Sequence, residues 1–261
     1  MKKLFLLLLA GCLWSLAADA QPVIEKQGSK KEPFTFVQIA DPQLGFCDKG
    51  QDWRWTVDNL KVTVARVNEL KPAFVIVTGD LIHNHKSAEQ ARAYRENIAL
   101  IDASIPVFHI PGNHDNDPYV ADDFESENPW RENLGPTYYS FDIGDIHYIQ
   151  LDNTLFTNTG GAQGTVGKLD YTEGLTADQL RWLEADLQRV PAGKTVFVGM
   201  HIQFTNRYRI ADGKLSWSYA MPADCRAKML DLLAPYTVHF VTGHTHINYA
   251  NRITERMTEH N

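Results

Sequence analysis

Short apolar segments alternate with amphipathic segments along most of the chain, and this alternation limits the possible folds more than any other feature of the sequence. The apolar segments are short and rich in β-branched and aromatic residues, which is typical of β-strands. They are Phe34–Ala40, Phe74–Thr78, Val107–Ile110, Ile146–Leu151, Thr195–Met200 and Val238–Thr242. Several are apolar almost throughout, as expected for strands that are covered on both faces.

The amphipathic segments between these strands predict helices. They run from about Trp53 to Leu70, from about Ser87 to Asp102, from Thr176 onward and from about Pro222 to Leu233. The third begins with a capping box, in which Gln179 follows Thr176 at the required spacing, and continues with leucines on one helical face. Strands that alternate with helices predict an α/β layered fold.

Five of the predicted strands are followed directly by side chains of the types that bind metal ions. The carboxyl ends of strands in an open α/β sheet form the edge where such proteins bind their ligands. Carboxylate, amide and imidazole ligands suit manganese, iron, zinc and similar divalent ions. Without His114, the set has seven members, too many for one tetrahedral zinc but suited to two ions that share a carboxylate. The candidate ligands are Asp41, Gln43, Asp80, Asn113, His201, His244 and His246.

The motifs D-x-Q, G-D, G-N-H-D, H and G-H-x-H occur in this order from about Phe34 to His246. Their order resembles that of the calcineurin-like metallophosphoesterase superfamily, and the D-P-Q form resembles its branch of calcineurin-like phosphoesterase-domain protein phosphatases. The resemblance implies a four-layer α/β/β/α sandwich with a dinuclear site at the carboxyl edge. Relatives usually continue with more strands after G-H-x-H, so we expect either an incomplete second sheet or a truncated product.

The resemblance also implies a role for each motif residue. His114 would stabilise the phosphoryl oxygens and donate a proton to the leaving group, and Asp115 would orient the His114 ring. The reaction would be hydrolysis of a phosphomonoester or phosphodiester, with a metal-bound hydroxide attacking phosphorus in line. The first ion would be held by Asp41, Gln43 and His246, the second by Asn113, His201 and His244, and both by Asp80.

One departure concerns the first ion, because most relatives carry D-x-H where this chain has Asp41-Pro42-Gln43. An amide oxygen is a weaker and harder ligand than an imidazole, so the identity of the ions (manganese, iron or zinc) stays open. A non-catalytic scaffold with the same fold, or a mononuclear zinc hydrolase acting on amides or lactams, are the alternative functions. The substrate is expected to be a phosphorylated small molecule or another phosphoester.

Three further residues are candidate substrate contacts. His83 occupies the position of the tyrosine in purple acid phosphatases, and either supports the ligands or substrate, or is a solvated loop histidine. Arg207 and Arg209 lie in the long loop Ile202–Ala220, and a guanidinium fork suits a phosphate oxyanion. Arginines in a loop also occur simply as solubilising residues. A second long loop is expected at Asn153–Gly174.

The net charge of the chain is -7, which disfavours binding to nucleic acid. With 44% apolar and 22% charged residues, the composition is that of an ordinary globular protein. Only three cysteines are present. Cys47 and Cys225 are expected either to pair or to remain free thiols, and no cysteine spacing indicates a thiolate zinc site.

Residues 1–20 are typical of a secretory signal peptide. Two lysines precede the apolar segment Leu4–Leu9, and Ala18-Asp19-Ala20 provides a cleavage signature. Residues 21–33 would then be a polar lead-in and residues 34–261 the catalytic domain of a secreted or periplasmic protein. As an alternative, Leu9-Ala10-Gly11-Cys12 resembles a lipobox and would leave the chain lipid-anchored through Cys12. No other segment is expected to cross a membrane.

Overall fold

The computed structural model describes residues 23–24, 33–47, 51–157, 170–205, 207–209, 215–217 and 221–261. Within these ranges the helices are α1 (Trp55–Leu70), α2 (Ala88–Ile98), α3 (Asp123–Ser126), α4 (Asn128–Asn133), α5 (Ala177–Leu187) and α6 (Ala223–Leu233). The strands are β1 (Val23–Ile24), β2 (Val37–Ile39), β3 (Val75–Thr78), β4 (Val107–Ile110), β5 (Tyr139–Ile143), β6 (Ile146–Gln150), β7 (Thr154–Thr157), β8 (Asp170–Glu173), β9 (Thr195–Gly199), β10 (Arg207–Arg209), β11 (Leu215–Trp217), β12 (Thr237–Val241), β13 (Ala250–Thr254) and β14 (Met257–His260). All the helices and strands expected from the apolar patterns are present.

Strands β2, β3 and β4 form a parallel sheet in that order, and α1 and α2 cover one of its faces. Val75 and Val77 of β3 belong to the same apolar cluster as Leu60 and Val64 of α1. These side chains are almost fully buried, and each gains roughly 1.5–3 kcal/mol by leaving water. Their burial holds both helices against the sheet.

A second sheet contains seven strands in the order β1-β5-β6-β9-β12-β14-β13. Neighbours from β6 to β14 run parallel, whereas the hairpins β5–β6 and β13–β14 are antiparallel. Leu183 of α5 and Met229 of α6 pack over its outer face against Val198 of β9. Because β13 and β14 follow His246, the second sheet is not cut short at the G-H-x-H motif.

The inner faces of the two sheets meet in a layer of aromatic side chains. Phe74 and Phe108 come from the first sheet, and Phe141 and Tyr148 come from the second. Phe108 stacks on Phe141 with ring centroids 3.8 Å apart, and Phe74 meets Tyr148 edge-on at 4.8 Å. Helices, sheet, sheet and helices therefore follow one another, which confirms the four-layer α/β/β/α architecture.

Local signals in the sequence set the helix ends. The Thr176 hydroxyl accepts a hydrogen bond from the backbone N–H of Gln179, as the predicted capping box requires. The Ser87 hydroxyl caps α2 in the same way. Helix α1 ends at Lys71, whose φ of 48° is left-handed, and Pro72 follows.

Several segments differ from the expectation or lie beyond the description. Strand β1 falls within the expected polar lead-in and pairs with β5. The two expected long loops contain the strand pairs β7–β8 and β10–β11. Residues 1–22, including the expected signal peptide and Cys12, lie outside the described residues.

Two further findings concern membranes and cysteines. In the part of the chain that the structure describes, no helix is both long enough and apolar enough to cross a membrane. Cys47 and Cys225 are both free thiols, which decides between the two alternatives left open by the sequence.

Candidate functional site

Five loops at the carboxyl ends of β2, β3, β4, β9 and β12 converge between the two sheets. Their backbone is strained at the candidate ligands, because non-glycine residues rarely adopt a φ in the left-handed region. Of the non-glycine residues with such a φ among the described residues, all but Lys71 are candidate ligands. They are Asp41 (48°), Gln43 (33°), Asp80 (48°), His244 (72°) and His246 (55°). Strain of this kind concentrates at functional sites.

The His201 ring is the centre of one group of candidate ligands. Its Nδ1 donates a hydrogen bond to the carbonyl oxygen of Thr78 at 2.8 Å, so the electron pair lies on Nε2. That Nε2 lies 3.0 Å from Asn113 Oδ1, 3.2 Å from His244 Nδ1 and 3.4 Å from Asp80 Oδ1. The ligand atoms of Asp80, His201 and His244 all lie within 4.8 Å of one another. This is the group that the resemblance implied for the second ion.

The candidate ligands of the first ion lie next to this group, with Asp41 Oδ1 3.9 Å from His201 Nδ1. His246 Nε2 lies 3.7 Å from Asp41 Oδ1, and both oxygens of Asp41 accept from the backbone N–H of His244 at 2.9 Å. The Gln43 side chain is buried, and its Oε1 has no hydrogen-bond partner among the described residues. A buried acceptor of this kind costs free energy unless it finds a partner such as a cation. The side chains of Asp41, Gln43 and His246 thus lie near one another, and their role as ligands of one ion stays a prediction.

The electrostatics of the cluster also suit cations. Burial raises the pKa of Asp41 to about 7, with the charge of Asp80 adding to the rise and that of His201 opposing it. Burial likewise raises the pKa of Asp80. Burial and the neighbouring histidines lower the pKa of His244 to about 3, so its imidazole stays neutral, as a metal ligand must be. A divalent ion would offset the cost of burying these carboxylates, and the donor set fits such ions.

His114 lies beside the ligands and is held by His83. The His114 Nδ1 donates a hydrogen bond to the carbonyl oxygen of His83 at 2.8 Å, and the two rings stack with centroids 4.8 Å apart. Its backbone N–H donates to Asp80 Oδ1 at 2.9 Å. Because Nδ1 is engaged, Nε2 is the nitrogen available to a substrate.

Asp115 does not orient the His114 ring, and this expectation is wrong. Its Oδ1 accepts from the backbone N–H groups of Leu81 and Ile82, and its Oδ2 accepts from that of Gly112. The carboxylate therefore ties the loop after β3 to the loop after β4. The partner of the His114 ring is a backbone carbonyl, whose presence no side-chain pattern reveals.

His83 also contacts candidate ligands of the first ion, which favours a role in supporting the ligands over that of a solvated loop histidine. Its Nδ1 lies 3.4 Å from Gln43 Nε2, so the His83 ring can hold the Gln43 amide with Oε1 free. Phe46 packs edge-on against both His83 and His246, with centroids 5.6 and 5.3 Å away. The side chains of Arg207 and Arg209, the other candidate substrate contacts, lie outside the described residues, and their backbone forms β10.

Two glycines permit the close approach of the loops. A Cβ on Gly112 would lie 2.3 Å from Asp80 Oδ1, and one on Gly243 would lie 2.5 Å from Asp41 Oδ2. Any side chain at either position would displace a candidate bridging or terminal ligand. The glycines of the G-N-H-D and G-H-x-H motifs are therefore steric requirements of the site.

Two supports of the site were missed by sequence reasoning. Glu259 of β14 is buried and accepts from the backbone N–H of Phe204 and the hydroxyl of Thr205, in the loop after His201. The Asn261 side chain donates to the carbonyl oxygen of Gly243, at the start of the G-H-x-H loop. Neither residue has a sequence signal, because each acts across strand neighbours that only the fold brings together.

Comparison with known proteins identifies the family of this chain. The calcineurin-like phosphoesterase family matches residues 34–248. This chain belongs to the calcineurin-like phosphoesterase family. Membership confirms the resemblance that the ordered motifs carried, and the matched residues contain every candidate ligand.

Curated members of the calcineurin-like phosphoesterase family are similar to this chain over part of their length. The serine/threonine-protein phosphatase CPPED1 of Danio rerio is 30% identical over 199 residues, which are 68% of this chain and 59% of that protein. CPPED1 of Homo sapiens is 31% identical over 151 residues, 51% of this chain and 47% of that protein. A probable glycerophosphodiester phosphodiesterase, GpdQ of Arcobacter nitrofigilis, is 31% identical over 142 residues, 53% of this chain and 45% of that protein. The chain spans about half the length of these curated relatives.

Solved structures share the fold of this family member. A dimetal phosphatase from Danio rerio has a TM-score of 0.62 at 18% identity, over 87% of this chain and 86% of that chain. A purple acid phosphatase from Lupinus luteus has a TM-score of 0.59 at 18% identity, over 86% of this chain and 43% of that chain. At this identity the likeness concerns the fold alone.

Proposed function

We propose that this member of the family hydrolyses phosphomonoesters or phosphodiesters with the help of two divalent ions, manganese, iron or zinc. One observation carries the proposal. His201 Nε2 lies within 3.4 Å of Asn113 Oδ1, His244 Nδ1 and Asp80 Oδ1, with the His114 backbone bonded to the same Asp80 oxygen. This arrangement supports a cation site next to His114, whose Nε2 would face the substrate.

The family resemblance assigns the candidate ligands to two sets that share Asp80. When bound, divalent ions provide a nucleophile near neutral pH and neutralise charge on the phosphoryl oxygens. The chain itself binds and orients the phosphoester beside these ligands. One ion would be held by Asp41, Gln43 and His246, the other by Asn113, His201 and His244, and both by Asp80.

His114 would act on the substrate through Nε2. During hydrolysis, a water oxygen bonds to phosphorus, the bond from phosphorus to the ester oxygen breaks, and the leaving alcohol takes up a proton. The hydrogen bond from Nδ1 to the His83 carbonyl fixes the ring while Nε2 holds or donates that proton. Asp115 supports the reaction only indirectly, by joining the loops that carry Asp80 and His114.

The named activities of the relatives suggest both ester classes as substrates. CPPED1 is named a serine/threonine-protein phosphatase, whereas GpdQ is named a probable glycerophosphodiester phosphodiesterase. The test is therefore hydrolysis of p-nitrophenyl phosphate and bis-p-nitrophenyl phosphate by the protein loaded in turn with each of the three metals.

The proposal predicts turnover of at least one of these esters, two ions per chain, and loss of turnover on Asp80→Ala. Two ions without any turnover would indicate the non-catalytic scaffold. One tightly held zinc without phosphoesterase activity would indicate the mononuclear hydrolase. Either result would overturn the proposal.

We also propose that the chain is exported to the periplasm or the medium. Support comes from the two lysines, the apolar segment Leu4–Leu9 and the Ala18-Asp19-Ala20 signature. Mass spectrometry of the protein expressed from its full sequence tests this. A mature N-terminus at Gln21 supports export, a lipidated Cys12 supports the anchored alternative, and an intact N-terminus in the cytoplasm contradicts both.

A further inference from the structure

A cavity of about 260 Å³ opens next to the candidate ligands of the first ion. It lies between the turn that carries Asp41 and Gln43 and one face of helix α1. His246 also lines it, so the cavity borders the three residues proposed to hold the first ion. A group attached to a bound phosphoryl group can therefore extend into it.

Two large aromatic side chains line this cavity while exposed to solvent. Phe46 is 49% exposed and Trp55 is 45% exposed. Phe46 is fixed by edge-on contacts with His83 and His246, so it forms a wall anchored to the candidate site. Trp55 opens helix α1, and its neighbour Trp53 packs into the apolar cluster beneath. Both exposed rings keep apolar surface that a ligand can cover.

Helix α1 turns a second, polar face to the cavity. Thr56, Asn59 and Thr63 line it, whereas Val64 packs into the core. The Thr56 hydroxyl already accepts from the Gly45 N–H and donates to the Trp53 carbonyl, so this hydroxyl contributes shape more than new hydrogen bonds. The cavity thus combines aromatic walls with neutral polar groups and with apolar side chains such as Ile39 and Leu60.

The charge of the cavity distinguishes between classes of ligand. Its lining, drawn from the described residues, contains no lysine or arginine. Arg54, next to Trp55, is held by Asp52 and Glu89 at 3.1 and 2.8 Å. Among the described residues, no lysine or arginine side chain lines the cavity to pair with a second phosphate or a carboxylate on the leaving group, whereas an uncharged aromatic group would cover Phe46 and Trp55.

We propose that this cavity binds the leaving group of the substrate, and that the leaving group is an uncharged alcohol carrying an aromatic ring. The inference rests on the proposed phosphoesterase function and names its substrate class. Water supplies the new oxygen on phosphorus, the bond from phosphorus to the ester oxygen breaks, and that oxygen takes up the proton from His114 Nε2. The neutral alcohol then leaves with its ring between Phe46 and Trp55.

The test compares two esters whose leaving alcohols have similar basicity and differ in the ring. Phenethyl phosphate and ethyl phosphate both release a primary alcohol, so intrinsic leaving-group reactivity does not favour either. The metal-loaded full chain is expected to show kcat/KM about tenfold or more higher for phenethyl phosphate, the scale of one buried aromatic contact with its apolar area.

Substitutions assign that preference to the cavity. Trp55→Ala and Phe46→Ala are expected to lower the ratio of the two kcat/KM values to below about threefold, and Trp55→Phe to retain most of it. Val62→Ala is the matched control, because Val62 lies on the same helix, is 71% exposed and does not line the cavity. Its ratio should equal that of the wild type.

Binding without turnover provides a second measurement. Phenethylphosphonate should inhibit hydrolysis of p-nitrophenyl phosphate at a lower concentration than ethylphosphonate does, and Trp55→Ala should remove the difference. Equal kcat/KM for the two esters in the wild type, or an unchanged ratio in both alanine variants, overturns this inference alone. Failure of the loaded protein to hydrolyse any phosphoester overturns the proposed function instead.

Discussion

The ring of His114 lies flat against the ring of His83, with centroids 4.8 Å apart and planes inclined by 27°. Its Nδ1 also donates to the backbone carbonyl of His83. The His83 ring in turn lies 3.4 Å from the Gln43 amide nitrogen. One residue thus positions both the candidate proton donor and a candidate ligand of the first ion.

Replacing His83 separates these two contributions. His83→Phe keeps an aromatic ring against His114 and keeps the backbone carbonyl, but it removes the nitrogen that faces Gln43. We expect the affinity for the first ion, which Gln43 would help to hold, to fall about 10- to 100-fold. This is the usual effect of losing a group that orients a metal ligand. At saturating metal, kcat should change little. Equilibrium dialysis with manganese and kinetics at saturating metal measure the two effects.

The control is His85→Phe, since His85 pairs with Asp117 at 3.3 Å and is not among the candidate ligands. Unchanged metal affinity in His83→Phe would contradict the positioning role. So would a large fall in kcat that saturating metal fails to restore.

Substitutions of His114 and of Asp80 should have different effects on metal binding and activity. His114→Asn keeps the loop backbone but removes the ring that acts on the substrate, so we expect both ions to remain bound and kcat to fall roughly 10²–10⁴-fold. Asp80→Ala removes the candidate shared ligand and should lose both ions and activity. Metal analysis after gel filtration, paired with kinetics, separates the variants. Loss of the ions from His114→Asn would show that His114 is itself a ligand.

Asp115 should matter for stability more than for chemistry. Asp115→Ala leaves the N–H groups of Leu81, Ile82 and Gly112 without their acceptor in a buried position. At about 1–3 kcal/mol for each unsatisfied buried group, partly relieved by relaxation, we expect the free energy of unfolding to fall by roughly 3–5 kcal/mol. Urea denaturation measures this fall in stability. An unchanged urea midpoint together with a large loss of kcat would instead show that Asp115 orients the His114 ring.

A second histidine network, remote from the candidate site, predicts a pH dependence of stability. His147 lies between Asp142 and Asp186, with both nitrogen–oxygen distances 2.8 Å. Burial lowers the pKa of His147, but hydrogen bonds to the two carboxylates outweigh that effect and raise it to about 9. The same pairing overcomes the effect of burial on Asp186 and lowers its pKa.

The sign of the pH dependence of stability follows from these two pKa shifts. Protonated His147 stabilises the fold fully below its unfolded pKa, and this contribution disappears as pH rises from about 6.5 to about 9. The contribution of Asp186 is lost instead as pH falls through the acidic range. We expect the wild type to lose on the order of 2–3 kcal/mol of unfolding free energy over the alkaline interval.

His147→Gln is expected to flatten this alkaline slope, because the titrating group is gone while a polar side chain remains. Urea unfolding at pH 6 and pH 9 measures the difference between the two proteins. Lys194→Gln serves as control, since Lys194 pairs with the exposed Asp145 nearby and has little effect on a buried network. Parallel slopes for wild type and His147→Gln would contradict the assignment.

Much of the fold was predictable because its strands are buried and its helices carry start signals. The segment Phe74–Thr78 is continuous in apolar character, since alternate residues pack against helices on one side and the aromatic layer on the other. Strand β5 was missed, although Gly144 and Asp145 separate it from β6 and are a two-residue hairpin signal.

The candidate ligands were predictable because each follows a strand directly, and strand ends meet at one edge. The supports of those ligands were not predictable in the same way. Asp115 binds backbone groups 33 and 34 positions away, and Glu259 binds a loop 54 and 55 positions away. Such contacts depend on how the strands and loops are arranged in the fold, so they cannot be predicted from local patterns in a single sequence.

The most direct measurement is anomalous X-ray diffraction from crystals of the protein loaded with manganese. Two anomalous peaks are expected, one on either side of Asp80. One should lie among Asp41, Gln43 and His246, and the other should lie among Asn113, His201 and His244. A single peak, or peaks away from Asp80, would contradict the account.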